Sequence, residues 1–213
     1  MRKQISSVFE IAAALCFFWL PPVFTKTTAY VVTAFYNVPF LFLFALYSCW
    51  FFISAGVIGA GIERKANKPF KTIRYAVLCA LTLIAASVAT SALSEFAGGA
   101  PETVITGEWA PGFWFFVNNI VGAFVFASFE EILYRVFLPI RLRYFKIPEK
   151  AAYAVPLVLF ALAHRPLGIW GIANAFLCGA SLQYCYNKTG SVAAICAVHG
   201  TYNLTGRALM FFA

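Results

Sequence analysis

Long apolar runs separated by short polar segments make up almost the whole of this chain. Runs of about eighteen or more apolar residues are typical of helices that cross a lipid bilayer. Seven spans, one of them shorter than the rest, are predicted at about residues 5–24, 36–62, 73–96, 113–140, 151–164, 167–186 and 191–213. We therefore expect an all-α fold: a polytopic membrane helical bundle with about seven transmembrane helices, forming a single integral membrane domain over residues 1–213.

The composition excludes an ordinary soluble domain. Hydrophobic residues make up 62% of the chain and charged residues 11%, and the mean hydropathy is +0.81. A soluble chain is typically about half apolar and about a quarter charged.

The net charge of +8 is explained by membrane topology. Lys and Arg gather in the segments 63–74 and 141–150, whereas the segment 97–112 contains acids and neither basic residue. Cytoplasmic loops of membrane proteins carry the excess of Lys and Arg, which places the N-terminus and both basic segments in the cytoplasm. The expected location is the cell (inner) membrane, and no nucleic acid partner is needed to explain the charge.

Other polar residues within the runs are expected to have structural roles. Glu10, near the start of the first run, is expected to snorkel to the membrane interface. Asn174 and Gln183 are expected to form hydrogen bonds between helices. The six cysteines lie in apolar runs without a Cys-x-x-Cys pair, which favours packing between helices over disulfides or a metal cluster.

The run at 113–140 contains two adjacent carboxylates and an arginine: Glu130, Glu131 and Arg135. Ionisable groups at membrane depth are costly to insert, so they indicate a functional site. Glu131 and Arg135 are four residues apart, which places them on one helical face where they can pair. Glu130 is rotated by about 100° from Glu131 around the helix and is left free for chemistry.

The only two histidines, His164 and His199, also lie within or at the end of apolar runs. One buried histidine is commonly a packed core residue, but here every histidine of the chain lies at membrane depth. Asn203 follows His199 by four residues and shares its helical face. A rise of about 1.5 Å per residue places these three side chains and Glu130 in one slab near the midplane, on its cytoplasmic side.

These groups have the equipment to hydrolyse an acyl bond without a serine or cysteine nucleophile. A carboxylate and a histidine can together activate a water molecule as a general base. A second histidine and an amide N–H can donate hydrogen bonds to a developing oxyanion. Two histidines and a glutamate could instead coordinate zinc in an open catalytic site, although the His-Glu-x-x-His spacing of zinc peptidases is absent.

Three short motifs carry a resemblance to a known family. In chain order they read Glu-Glu-Ile-Leu-Tyr-Arg at 130–135, Phe-Ala-Leu-Ala-His at 160–164 and His-Gly-Thr-Tyr-Asn at 199–203. Together they resemble the motifs of the CPBP family (CAAX protease and bacteriocin-processing proteins, also called ABI) of glutamic intramembrane endopeptidases. The resemblance covers about residues 113–205. It implies a catalytic core in the C-terminal four helices, residues 113–213, with accessory helices in residues 1–112.

The resemblance also implies roles for the motif residues. Glu130 would be the catalytic carboxylate and would work with His164 to activate water. His199 and Asn203 would stabilise the tetrahedral oxyanion. The remaining motif residues would support these four: Glu131, Arg135 and Phe160. No cofactor is implied, and the resemblance disfavours zinc.

The function expected from the resemblance is that of an intramembrane endopeptidase, which hydrolyses a peptide bond of a membrane-associated protein or peptide with glutamate- and histidine-activated water. Its expected partners are that substrate, at or in the membrane, and the lipid bilayer. Two alternatives remain open. Buried carboxylates and histidines also serve as proton or ion relays in coupled transporters, although the sequence shows no inverted repeat. The other is a non-catalytic immunity or partner protein that keeps the same fold, although the intact motifs argue against it.

Overall fold

The computed structural model describes residues 2–14, 38–58, 68–98 and 120–212. Every regular element in these ranges is helical, and none is a strand. The all-α fold class is therefore confirmed for the part of the chain that the structure describes.

The helices follow the predicted apolar runs. In chain order the elements are α1 (Arg2–Ala14), α2 (Val38–Ile58), α3 (Pro69–Phe96), α4 (Gly122–Glu131), a π-helical turn (Ile132–Phe137), α5 (Leu138–Tyr144), α6 (Glu149–Ala163), a 3-10 turn (Arg165–Leu167), α7 (Gly168–Thr189) and α8 (Val192–Phe212). The helices α3, α6, α7 and α8 agree with the predicted spans to within a few residues. α4, the π turn and α5 form one continuous helical segment in the fourth span. The rest of the first, second and fourth predicted spans lies outside the described residues.

Among the described residues, α3 is the one helix that is by itself long and apolar enough to cross a membrane. Its 28 residues extend about 42 Å, against a hydrocarbon core of about 30 Å. Many of its apolar side chains are exposed, among them Phe70, Leu81 and Val88. α6 and the segment Arg165–Thr189, which bend by 52° at the break between them, count as a second span if they are taken together. The number of seven transmembrane helices therefore remains a prediction, as does the division at residue 112.

Two hydrophobic clusters hold the helices together. In the first, Phe51 of α2 packs against Phe129 of α4 and Phe137 of the π turn. In the second, Leu83 of α3 and Leu182 of α7 pack together with residues of α8. α8 also packs along α4, and this contact brings the third motif against the first.

A buried arginine joins α1 and α2 to the segment that carries the first motif. Arg141 of α5 is 1% exposed and donates to Ser7 Oγ at 2.7 Å. It also forms an ion pair with Glu10 of α1 and a hydrogen bond with Ser54 of α2. The prediction that Glu10 snorkels to the interface is therefore wrong. Its carboxylate turns inwards because a buried guanidinium requires an opposite charge beside it.

The two polar residues of α7 behave differently from each other. Asn174 bonds to Ser87 of α3 and to Tyr202 of α8, which confirms the predicted interhelical hydrogen bond. Gln183 instead donates to Asn187 Oδ1 at 3.0 Å within α7 itself, so the prediction of an interhelical bond is wrong there. Residues four apart share a helical face, and the amide of Gln183 finds a partner on its own helix.

Candidate active site

The two adjacent glutamates end α4, and the π-helical turn follows directly. Glu131 is the last residue of α4, and the turn covers Ile132–Phe137. Turns of this kind are rare, occur mostly as single turns inside α-helices and are frequent at functional sites. Pro139, at the start of α5, has no N–H to donate to the carbonyl four residues earlier, and this favours a wider turn before it. The sequence predicts a regular α-helix through the first motif. The structure instead has a π-helical turn over Ile132–Phe137.

Glu131 is a buried carboxylate with two partners. Its side chain is fully buried, and its Oε2 lies 3.3 Å from Nε of Arg135, which is 2% exposed. Its Oε1 lies 2.8 Å from Nδ1 of His199. An ionised carboxylate can only accept hydrogen bonds. Nδ1 of His199 therefore carries the hydrogen and donates it to Glu131 Oε1. The predicted pairing of Glu131 with Arg135 is thus observed, and the same carboxylate orients the histidine.

Glu130 is the more accessible of the two carboxylates. Its side chain is 21% exposed, and its Oε2 lies 3.6 Å from Nε2 of His199. This separation exceeds a direct hydrogen bond, which spans about 2.7–3.2 Å. The His199 ring therefore lies between two carboxylates, bonded to Glu131 on one side and facing Glu130 across a short gap on the other.

His164 follows the last residue of α6, where the chain turns into Arg165-Pro166. Pro166 disfavours a helical conformation at the residue before it, which favours an end of α6 here, as predicted. Nδ1 of His164 lies 2.8 Å from the carbonyl oxygen of Phe160. A carbonyl oxygen can only accept, so Nδ1 carries the hydrogen. In the neutral ring, Nε2 then keeps its lone pair for another partner.

Phe160 connects the three motifs. Its ring centroid lies 4.7 Å from that of His164 and 6.1 Å from that of His199. The guanidinium carbon of Arg135 lies 4.1 Å from the same ring, a distance typical of a cation–π contact. Phe160 is 2% exposed. It therefore forms a buried apolar wall against which the charged groups of the first and third motifs are arranged.

The structure brings most of the predicted residues together. Glu131 contacts both Arg135 and His199, and Glu130 lies 3.6 Å from the same histidine. Phe160 links this group to His164. Asn203 is half-buried and lies one turn along α8 from His199. The pairing of Glu130 with His164 across a water molecule stays a prediction, as do the individual roles of all these residues.

Two glycines, neither of them predicted as a site residue, allow the helices around the site to pack closely. A Cβ on Gly179 would lie 2.9 Å from Phe160 Cδ1 and 3.1 Å from Arg135 Nη2. A Cβ on Gly200 would lie 2.3 Å from the ring of Phe124 in α4. Small residues permit close approach of membrane helices. The only sequence signal for this role is that Gly200 immediately follows the histidine of the third motif.

Among the described residues, no three side chains of the types His, Cys, Asp and Glu form a group that could hold a metal ion. Glu130 and Glu131 face opposite nitrogens of His199, so the three side chains do not point to a common centre. Chemistry without a metal cofactor remains a prediction.

One comparison with known proteins finds a match. Residues 109–205 match the family model described as Rce1-like, type II CAAX prenyl endopeptidase Rce1-like. No curated protein and no solved structure matches the chain. The matched segment contains all three motifs together with α4, α6, α7 and the part of α8 that carries His199 and Asn203. Residues 109–205 of the chain are therefore similar to the Rce1-like family, which fits the family resemblance carried by the three motifs.

Proposed function

We propose that this protein is a glutamic intramembrane endopeptidase that hydrolyses a peptide bond with water activated by Glu130 and His164. The observation that best supports it is the placement of the His199 ring between a fully buried carboxylate, Glu131, and a partly exposed one, Glu130. One carboxylate is thereby occupied in orienting a histidine, and the other is accessible to a reactant.

In the proposed reaction, Glu130 accepts a proton from a water molecule as its oxygen attacks the scissile carbonyl carbon. Nε2 of His164 holds the same water, since Nδ1 of that ring is occupied by the carbonyl of Phe160. The proton taken by Glu130 is then delivered to the leaving amine when the carbon–nitrogen bond breaks. The products are a new carboxyl terminus and a new amino terminus, and the side chains return to their starting states.

His199 and Asn203 are proposed to stabilise the oxyanion that forms when water adds. For His199 to donate from Nε2, its ring must carry both hydrogens, and Glu131 accepts the one on Nδ1. Preorganised donors of this kind, in a site shielded from bulk water, typically lower the barrier by a few kcal/mol each. The contact with Glu131 would supply that preorganisation.

The proposed setting is a multi-pass protein of the cell (inner) membrane with a cytoplasmic N-terminus and about seven spans. The proposed substrate is a membrane-associated peptide or protein. The matching family model is described as a CAAX prenyl endopeptidase. A farnesylated CAAX peptide is therefore the first substrate to test.

The test is cleavage of a quenched fluorescent peptide by the purified protein in liposomes, with and without the farnesyl group. We expect Glu130→Gln and His164→Gln to lower the rate by about 10²- to 10⁴-fold. Glu95→Gln changes an exposed glutamate of α3 and serves as the matched control, with unchanged rate. If neither peptide is cleaved, membrane peptides are compared in cells that carry the wild type or Glu130→Ala. Identical peptides in both cells would contradict the proposal.

A second candidate, a proton or ion relay, gains support from one observation. α6 and the segment that follows it bend by 52° at a short break beside His164, and interrupted helices are frequent at the binding sites of transporters. Uptake of protons or cations into liposomes, abolished by Glu130→Gln and without peptide cleavage, would favour this candidate over the endopeptidase.

A further inference from the structure

Three polar side chains from three helices meet at one point beside the third motif. Ser87 belongs to α3, Asn174 to α7 and Tyr202 to α8. Ser87 Oγ lies 3.3 Å from Asn174 Oδ1, and Asn174 Nδ2 lies 3.1 Å from the Tyr202 hydroxyl. A short hydrogen bond joins the Tyr202 hydroxyl to Ser87 Oγ. We call these three residues the polar triad.

The distances within the polar triad fit one assignment of donors and acceptors, and Cys178 Sγ, 3.5 Å from Asn174 Oδ1, is a further donor to that amide oxygen. Asn174 Nδ2 is a donor and Oδ1 is an acceptor, so Asn174 donates to Tyr202 and accepts from Ser87. The Ser87 hydrogen is then used, which leaves Tyr202 as the donor to Ser87 Oγ. Each of the three residues donates once and accepts once within a closed ring. Removal of any one hydroxyl therefore breaks two of the three bonds.

The polar triad is adjacent to the proposed oxyanion donors along α8. Tyr202 directly precedes Asn203 and lies three residues after His199. α8 is thus held by polar contacts to Glu131 of α4 on one side and to α3 and α7 on another. A rotation of α8 by about 10° would displace a side chain about 5–6 Å from the helix axis by roughly 1 Å. A misplacement of that size can cost about 10²-fold in rate.

We propose that the polar triad holds α8 in one rotation about its axis. It thereby positions His199 and Asn203 to donate hydrogen bonds to the reacting carbonyl. This inference rests on the proposed endopeptidase function for its catalytic consequence. It also gives α3 a role: Ser87 lies outside residues 109–205, the segment that matches the family. A helix beyond the family match would then contribute to the geometry of the active site.

The first test does not depend on turnover. The chain has only two histidines, so ¹⁵N-histidine labelling in lipid nanodiscs gives two imidazole signal sets, and His164→Gln identifies which belongs to His199. We expect Tyr202→Phe and Ser87→Ala to shift the His199 signals and to leave those of His164 in place. Ser87→Thr retains the hydroxyl and is expected to restore the wild-type signals. Ser91→Ala removes an exposed serine one turn along α3 and is the matched control, with no shift.

A purely stabilising contact would give a different result. It would lower the midpoint of thermal unfolding in Tyr202→Phe and Ser87→Ala while the His199 signals stayed at their wild-type positions. That outcome would overturn the proposal, because Ser87 is on a separate helix and is proposed to act on His199 through Tyr202. Thermal unfolding of each variant shows that the spectra come from folded protein.

The second test is kinetic and uses the farnesylated CAAX peptide or, if that is not cleaved, a peptide whose processing in cells depends on Glu130. We expect Tyr202→Phe to lower kcat about tenfold or more with KM within about twofold, and Ser87→Thr to keep the wild-type kcat. The double variant Ser87→Ala with Tyr202→Phe is expected to be no slower than Tyr202→Phe alone, since one hydroxyl already opens the ring. Wild-type kcat in Tyr202→Phe would contradict the proposal. Absence of any Glu130-dependent cleavage would contradict the endopeptidase function instead, and the histidine spectra would still decide on the polar triad.

Discussion

His199 is fixed against Glu131 through a buried hydrogen bond of 2.8 Å between Nδ1 and Oε1. The opposite nitrogen of the ring faces Glu130 at 3.6 Å, so the ring is anchored on one side and free to interact on the other. The hydrogen bond of one imidazole nitrogen determines which chemistry the other nitrogen can perform. Glu131 is therefore the residue that prepares His199, although Glu130 is the carboxylate proposed to react.

We predict that Glu131→Gln destabilises the protein strongly. The substitution leaves the guanidinium of Arg135, which is 2% exposed, without its carboxylate, and breaking a buried ion pair in this way costs about 3–5 kcal/mol. The control is Arg143→Ala, which breaks a pair of 4.0 Å whose side chains are 30% and 61% exposed. Such a surface pair contributes about 0–1 kcal/mol. Unfolding of both variants in detergent checks the prediction, and equal losses would contradict it.

Gly200→Ala is expected to lower both stability and activity. The new methyl group would lie 2.3 Å from the Phe124 ring, so either that ring or α8 itself must shift, and we expect a shift of α8 that draws His199 away from Glu131. Overpacking of this kind costs about 1–3 kcal/mol. Gly206→Ala lies on the same helix with nothing within 4 Å of the added atom, and we expect a gain of about 0.5–1 kcal/mol from helix propensity. Thermal unfolding and peptide cleavage of the two variants are compared; a Gly200→Ala protein as stable and active as the wild type would show that the two helices are not in close contact.

Phe160→Leu is predicted to lower both catalysis and stability. Leucine keeps an apolar side chain in the site but removes the ring that contacts Arg135 and both histidines. A desolvated cation–π contact contributes about 2 kcal/mol, and we expect a drop of about tenfold or more in kcat. Phe176→Leu changes a phenylalanine that is 42% exposed and is expected to behave as the wild type. The prediction fails if the two variants show the same kcat.

Arg141 and Glu10 are predicted to be energetically coupled. Arg141→Met leaves the Glu10 carboxylate, which is 16% exposed, without its counter-charge, and we expect a loss of about 3–5 kcal/mol. Adding Glu10→Gln removes the stranded charge, so the double variant is expected to be more stable than the two single losses predict, by about 0.5–3 kcal/mol. A double-mutant cycle on unfolding measures this difference. Strict additivity would mean that the two charges do not interact.

Chelation is expected to leave peptide cleavage unchanged. The proposed chemistry uses carboxylate, imidazole and amide groups of the protein, so 1,10-phenanthroline or EDTA removes nothing that the reaction needs. The rate is measured before and after incubation with chelator. A loss of activity that zinc restores, and that magnesium does not, would replace the proposed mechanism with a zinc-dependent one.

Relationships within one helix were predictable from the sequence. The four-residue spacing of Glu131 and Arg135 predicted their pairing, and Arg165-Pro166 predicted the end of α6. Both depend on local geometry: the helical period places Glu131 and Arg135 on one face, and Pro166 disfavours a helical conformation at Arg165. The three motifs likewise located the candidate site, because their residue types and order are specific in combination.

Relationships between helices were not predictable in the same way. Spacing along the chain does not show which face of α1 contacts α5. The sequence therefore predicted that Glu10 lies at the membrane interface, whereas its carboxylate pairs with Arg141. The contact of His199 with Glu131 depends on Gly200, whose missing side chain sets the distance between α8 and α4. The π turn after Glu131 depends on Pro139 together with the packing of its neighbours. No single residue of the sequence predicts it.

The ion pair between Glu10 and Arg141 also has a consequence for how the protein is made. The two residues are separated by 131 positions, and synthesis proceeds at about 5–20 residues per second. Glu10 therefore leaves the ribosome on the order of ten seconds before the arginine that neutralises it. α1 can take its final position only after α5 has been inserted, together with the glutamates that precede it. α1 is thus synthesised well before the buried arginine that completes its packing.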